Sequence, residues 1–140
     1  MQKVLFLDID GVLNNPEILE KNGLGIGPDH LSELKRIIDE TGAKIVLSST
    51  WRLMHHTRVI IIPALQSIGA DVIGMTPNHK NLPRSEEILT WLENNPECHF
   101  AILDDDDNAG LGFEGNFFQT EFQFGLTPQI ANRIIDFLGK

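Results

Sequence analysis

Apolar positions along this chain fall into short unbroken runs and helical stripes that alternate. Val4, Leu5, Phe6 and Leu7 follow one another without a polar residue, which predicts a strand buried on both faces over Lys3 to Leu7, with Asp8 at its carboxyl end. Leu31, Leu34, Ile37 and Ile38 recur at helical spacing, predicting a helix over Asp29 to Glu40 with Asp29 as N-cap and Gly42 as its stop. A second apolar strand, Lys44 to Leu47, ends at Ser48, Ser49 and Thr50. Pro63 then interrupts the apolar stretch from Val59 to Leu65, a pattern consistent with a kinked helix or with one that opens at the proline.

Asp71 to Met75 reads as a short strand, followed by a loop containing Pro77 and Pro83. Ser85 is placed to cap a helix with Glu86 and Glu87 in its first turn, with Ile88, Leu89, Trp91 and Leu92 inward and a stop near Pro96. Phe100 to Leu103 forms another buried run that leads into Asp104, Asp105, Asp106 and Asp107. A glycine-rich loop precedes a fifth strand near Asn116 to Thr120, and a last helix follows with Thr127 as N-cap, Pro128 in first position and Gly139 as stop. This alternation predicts an α/β fold, a three-layer doubly wound sandwich with a mainly parallel central sheet. Such sheets bind ligands outside the carboxyl ends of their strands.

Composition narrows the class. The chain has 140 residues, 41% hydrophobic and 22% charged, enough for one domain over 1–140 and typical of globular proteins rather than of disordered or repeat chains. Cys98 is the only cysteine, so neither an internal disulfide nor a thiolate metal cage is available, in keeping with a reducing compartment. No apolar run approaches a signal-peptide core or a membrane span; the expectation is a cytoplasmic protein without a membrane anchor. The formal charge of -9 weighs against nonspecific nucleic-acid binding.

The unusual residues sit where the strands end. Asp8 and Asp10 are spaced by two after a buried strand, and Gly11 lets the chain turn away. One carboxylate can bind metal and attack while its neighbour handles a proton. The run Asp104 to Asp107 would on its own be a solvated loop or a helix cap; beside a second acidic cluster in the same sheet it reads as the other wall of a hard-cation site. Ser48 and Ser49 can offer hydroxyl and backbone hydrogens to a phosphate. A cationic partner for that phosphate is expected in Arg84, or alternatively Lys80.

Trp51 and Arg52 directly follow the serines; Arg52 is carried as a substrate-contact candidate, whereas a tryptophan there more often packs. His55 and His56 are adjacent and His30, His79 and His99 show no ligand spacing, so zinc is not expected. Phe117, Phe118, Phe122 and Phe124 are assigned to packing rather than to base stacking.

In this order the pieces resemble the haloacid dehalogenase-like (HAD) hydrolase superfamily. Its first motif matches the strand ending Asp8-Ile-Asp10-Gly-Val-Leu13. The second matches Ile45-Val-Leu-Ser-Ser49, the third Arg84, and the fourth Ala101-Ile-Leu-Asp-Asp105. Ser-Ser-Thr-Trp-Arg after the second strand, with the aspartate run, also resembles small stand-alone members, some associated with RNA repair. The resemblance implies a HAD-like Rossmannoid fold and a Mg²⁺-dependent phosphatase. In it Asp8 takes the phosphoryl group as an aspartyl phosphate and Asp10 is the general acid and base. Ser48, Ser49 and Arg84 hold the phosphate. Magnesium is held by Asp8, the Asp10 backbone carbonyl, and Asp104 or Asp105.

The second acid argues for phosphate rather than carbon-halogen chemistry. The short spacings between motifs leave no room for a sizeable cap domain, so the phosphorylated substrate could be macromolecular, including a nucleic-acid end. Two readings of other classes are a receiver-like phosphoacceptor, disfavoured by the order of the acids, and a noncatalytic binding module.

Overall fold

The computed structural model describes residues 1–21 and 25–139. Five strands, β1 (Gln2–Leu7), β2 (Lys44–Leu47), β3 (Val72–Met75), β4 (Cys98–Asp104) and β5 (Phe117–Gln119), form one sheet in the order β3-β2-β1-β4-β5. Every pairing is parallel. Among the described residues five α-helices accompany them: α1 (Pro16–Lys21), α2 (Pro28–Thr41), α3 (His55–Ser67), α4 (Arg84–Asn94) and α5 (Pro128–Leu138).

Strand alternation divides the core in two. Leu5, Leu7, Ile45, Leu47, Ala101 and Leu103 point to one face and pack with Leu34 and Ile37 of α2, Ile61 and Leu65 of α3, and Ile134 of α5. Val4, Phe6, Val46 and Ile102 point to the other, against Ile88 of α4. The expected three layers are present, although one outer layer consists of α4 and the 3₁₀ turns after β4. Phe6 is fully buried there, with edge-to-face rings of Trp91 and Phe100 at 5.4 and 5.8 Å.

Several helix boundaries differ from the sequence expectation. α2 begins at Pro28 with Gly27 as N-cap, because proline, lacking an N–H, suits the first helical position; Asp29 lies in the first turn instead. α4 begins at Arg84 with Pro83 in the cap position, and Ser85 is buried inside the first turn without capping it. Leu89 faces outward rather than inward. α3 runs through Pro63; the ring leaves the carbonyl four residues back without a helical donor, but Val59 is exposed and solvent can serve it. The short α1 has no buried residue; Asn15 starts it by accepting from Ile18 N–H, a local cap that apolar periodicity does not reveal. Gly42 in the left-handed region ends α2 as expected, and the Thr127 hydroxyl accepts from Ile130 N–H to open α5.

β1 leads toward β2 and β3 on one side of the sheet, whereas β4 and β5 lie on the other. The switch between β1 and β4 is where a cleft opens at the carboxyl ends of such sheets. Because Leu7 pairs with Leu103, Asp8 and Asp104 leave neighbouring strands at the same level.

Phe6→Ala should lower the unfolding free energy by about 3–5 kcal/mol, measured by urea denaturation. A loss below about 1 kcal/mol would show that the α4 layer does not depend on this ring.

Candidate active site

Asp8 is anchored by its N–H, which donates to Leu103 O at 3.1 Å. Its carboxylate meets those of Asp104 and Asp105, with one oxygen from each lying within 4.8 Å of the others. Asp104 is fully buried. One of its oxygens accepts from Arg84 Nη1 at 2.7 Å and the other from Asp106 N–H at 3.0 Å. The same Arg84 nitrogen lies 3.2 Å from Asp8 Oδ1. Gly11, at φ 79°, closes the floor; a Cβ there would collide with the Asp105 carboxylate, so only glycine permits both the turn and the close carboxylate.

Three acids share this space with one guanidinium. Burial pushes the Asp8 pKa up to about 9, reinforced by Asp104 and opposed by Arg84. Burial and Asp104 also raise Asp105. Desolvation works against the charge on Arg84, but Asp104 and Asp8 outweigh it and raise its pKa. A donor set of converging carboxylates, without nitrogen or sulfur, fits a hard divalent cation that would neutralise the repulsion. It is the one such group among the described residues.

Asp10 is held differently. Its Oδ1 accepts from Asn14 Nδ2 at 3.0 Å and its Oδ2 from Trp51 Nε1 at 3.1 Å. Asn14 is fully buried. It also donates to Gly25 O and accepts from Gly11 N–H, at 2.8 and 2.9 Å. The sequence gives no local signal that either residue orients Asp10. Asn14 carries no pattern of its own, and Trp51 packs as expected but does more, since its ring is buried while its N–H reaches the acid.

Ser48 N–H donates to Leu7 O at 3.1 Å, beside the root of Asp8. Its hydroxyl is buried without a hydrogen-bond partner, a costly state that a ligand oxygen would relieve. The Ser49 hydroxyl accepts from Trp51 N–H and caps the 3₁₀ turn Thr50–Leu53. Of the two cation candidates, Arg84 reaches the carboxylates, while Lys80 is exposed on the loop before α4.

Arg52 is buried, and its guanidinium is engaged by the protein itself. Nε donates to Thr76 O, Nη1 to Ser48 O and Ser49 O, and Nη2 to Pro77 O and Glu87 Oε2. Substrate contact would require breaking this set, so the geometry gives Arg52 a positioning part rather than a phosphate contact. Asp106 caps the 3₁₀ turn Asp107–Gly110, and Asp107 accepts from Gln119. Phe118 is buried and Phe117 packs against the second core, as expected; Phe122 and Phe124 are exposed and depart from the packing expectation.

A parallel doubly wound sheet with acids converging at its switch point, an arginine above them and a serine at the neighbouring strand end defines a HAD-type hydrolase. The chain belongs to the family described as the HAD domain in Swiss Army Knife RNA repair proteins, whose model matches residues 4–131. A comparison with curated proteins found no match. Among the described residues, the elements between the motifs contain no inserted cap domain, and no helix is long and apolar enough to cross a membrane.

Two outcomes follow from this geometry. In chelator, the folded chain retains the Asp8 proton between pH 3.8 and about 9, whereas the unfolded chain releases it near the lower value. Raising the pH through that window therefore works against folding. The stability of wild type minus that of Asp8→Asn should fall with a slope of up to about 1.4 kcal/mol per pH unit, read from denaturation series; a flat difference would refute the shift. Separately, Arg52→Ala leaves Glu87 buried beside five lost hydrogen bonds. Breaking such a pair should cost about 3–5 kcal/mol, and an unchanged Tm would contradict the positioning part.

Proposed function

We propose that residues 1–140 act as one catalytic domain, a magnesium-dependent phosphatase that hydrolyses phosphomonoesters through an aspartyl phosphate on Asp8. The carrying observation is the unequal setting of the two acids. Asp8 is buried against Arg84 and Asp104, while Asp10 is partly exposed and each of its oxygens is fixed by a donor. Paired acids held in different environments suit different roles.

In this reading an Asp8 oxygen attacks phosphorus, the bond to the ester oxygen breaks, and Asp10 supplies the proton that the leaving oxygen takes. Asp10, now ionised, then accepts a proton from water as that water attacks the acyl phosphate. Phosphate leaves, and the Asp8 carboxylate is restored. Arg84, the unpartnered Ser48 hydroxyl and the Ser49 backbone hold the nonbridging oxygens. Magnesium, held by Asp8, Asp104, Asp105 and the Asp10 carbonyl, supplies positive charge against the phosphoryl oxygens and the crowded acids. Trp51 and Asn14 keep Asp10 aimed at the oxygen it serves.

A narrower reading makes the substrate a terminal phosphate on nucleic acid. The family match favours it, as does the absence of an inserted cap among the described residues, which leaves a polymer end free to approach. The net charge of -9 runs against it, because long-range attraction to phosphates is missing.

Phosphate release should be measured on a panel of small esters and phosphorylated oligonucleotides, with magnesium or with chelator. Magnesium-dependent release is expected, with Asp8→Asn at background and Asp10→Ala lower by about 10²- to 10⁴-fold. Wild-type rates in folded Asp8→Asn would overturn the mechanism.

A further inference from the structure

Of the eight phenylalanines, only Phe122 and Phe124 are exposed, at 47% and 57%. Both stand on the turn of residues 121–125, where Phe124 N–H and Gly125 N–H donate to Glu121 O at 2.9 and 2.8 Å. The turn is fastened to the acid-bearing loop at both ends. Before it, the Thr120 hydroxyl donates to Gly11 O at 2.6 Å, and Thr120 N–H donates to Asp104 O at 3.0 Å. After it, Leu126 N–H donates to Val12 O at 2.7 Å. His30 Nε2 lies 2.7 Å from Phe124 O, holding the turn from below. Two half-exposed rings on a pinned turn add little to the core, and an aromatic face held in water on a fixed backbone can take a stacked partner.

A groove of about 380 Å³ runs beside this turn, lined by Phe124, Gln119, Glu121, Ile130 and Arg133. Gln119 forms its link to the acids, donating to Asp105 O at 3.1 Å. The Arg133 guanidinium sits 5.5 Å from the Phe118 ring centre and puts a positive charge among the lining residues. Since β5 lies two strands from β1, the strand that leads into the groove runs about 10 Å from the one that leads into Asp8.

We infer that this groove is a nucleotide subsite continuous with the phosphate site: Phe124 stacks on a base of a single-stranded nucleic-acid end, and Arg133 takes a backbone phosphate. The assignment deepens the phosphatase reading, on which it rests for the terminal phosphate. It also bears on the charge objection, because stacking adds affinity that does not depend on the net charge. Glu121 also lines the groove, and a carboxylate that accepts from a ribose hydroxyl would favour RNA.

The test uses isothermal titration calorimetry with a single-stranded RNA hexamer phosphorylated at both ends. It is carried out in magnesium on Asp8→Asn chain, so that turnover does not intrude. Adding Phe124→Ala should weaken Kd by about fivefold or more, Phe124→Trp should restore it, and Arg133→Gln should lower the salt slope by about one phosphate contact. No binding by Asp8→Asn alone, or a Phe124→Ala affinity within about twofold of it, overturns the subsite. Phosphate release from glycerol phosphate by wild type reports separately on the chemistry. Release with a Phe124-insensitive affinity removes the subsite and leaves the phosphatase. Phe124-sensitive binding without release from any ester keeps the subsite and removes the phosphatase.

Discussion

Mutual repulsion among Asp8, Asp104 and Asp105 is the constraint around which this fold is arranged. The β1–β4 register delivers two of these acids at the same height, and Gly11 leaves the space that the third occupies. A single guanidinium answers them. Burial raises the cost of charge on Asp8 and Asp105, so these two hold protons that isolated carboxylates would release. Nothing in the packing of the sheet requires acids there; apolar residues would continue both strands at lower cost. The arrangement makes physical sense when a cation and a phosphoryl group complete the charge balance, since carboxylates of this kind are then attracted to what fills the space between them.

The strands were legible because the sheet is parallel and covered on both faces. Unbroken apolar runs such as Val4 to Leu7 leave no other reading, and β2 spans the expected residues, Lys44–Leu47. The acids were legible for a related reason: a carboxylate directly after such a run must emerge at the sheet's binding end. Boundaries set by proline and local capping were harder. Pro28 and Pro83 moved the starts of α2 and α4 away from the polar residues expected to cap them. The α1 turn depends on the Asn15 side chain rather than on any apolar stripe.

Within the site, what escaped the sequence was contact at long range. Trp51 is far from Asp10 along the chain and Thr120 is farther still from Gly11, yet each donates to its partner. No local pattern encodes such pairs, because the sheet order decides which loops meet. The same holds for the phenylalanines. Phe117 and Phe118 alternate across β5 into the two cores, but Phe122 and Phe124 come after the strand ends, and a tight turn rather than strand alternation sets their direction.

The contrast between Arg52 and Arg84 shows how the same side-chain chemistry is divided. Arg84 opens α4, a position where the helix dipole disfavours a cation, and it is held there by Asp8 and Asp104. Arg52 lies beneath the loops, tying the carbonyls of Ser48 and Ser49 to those of Thr76 and Pro77. Its remaining contact is Glu87, one helical turn beyond Arg84 on the same helix. Glu87 also accepts from His79 N–H at 2.9 Å, fixing the loop that enters α4. Through Glu87, therefore, Arg52 connects the serine loop after β2 to the helix that carries Arg84. The buried arginine thus bears on where the partly buried one stands, because the loops after β2 and β3 and the helix that carries Arg84 are tied to one side chain.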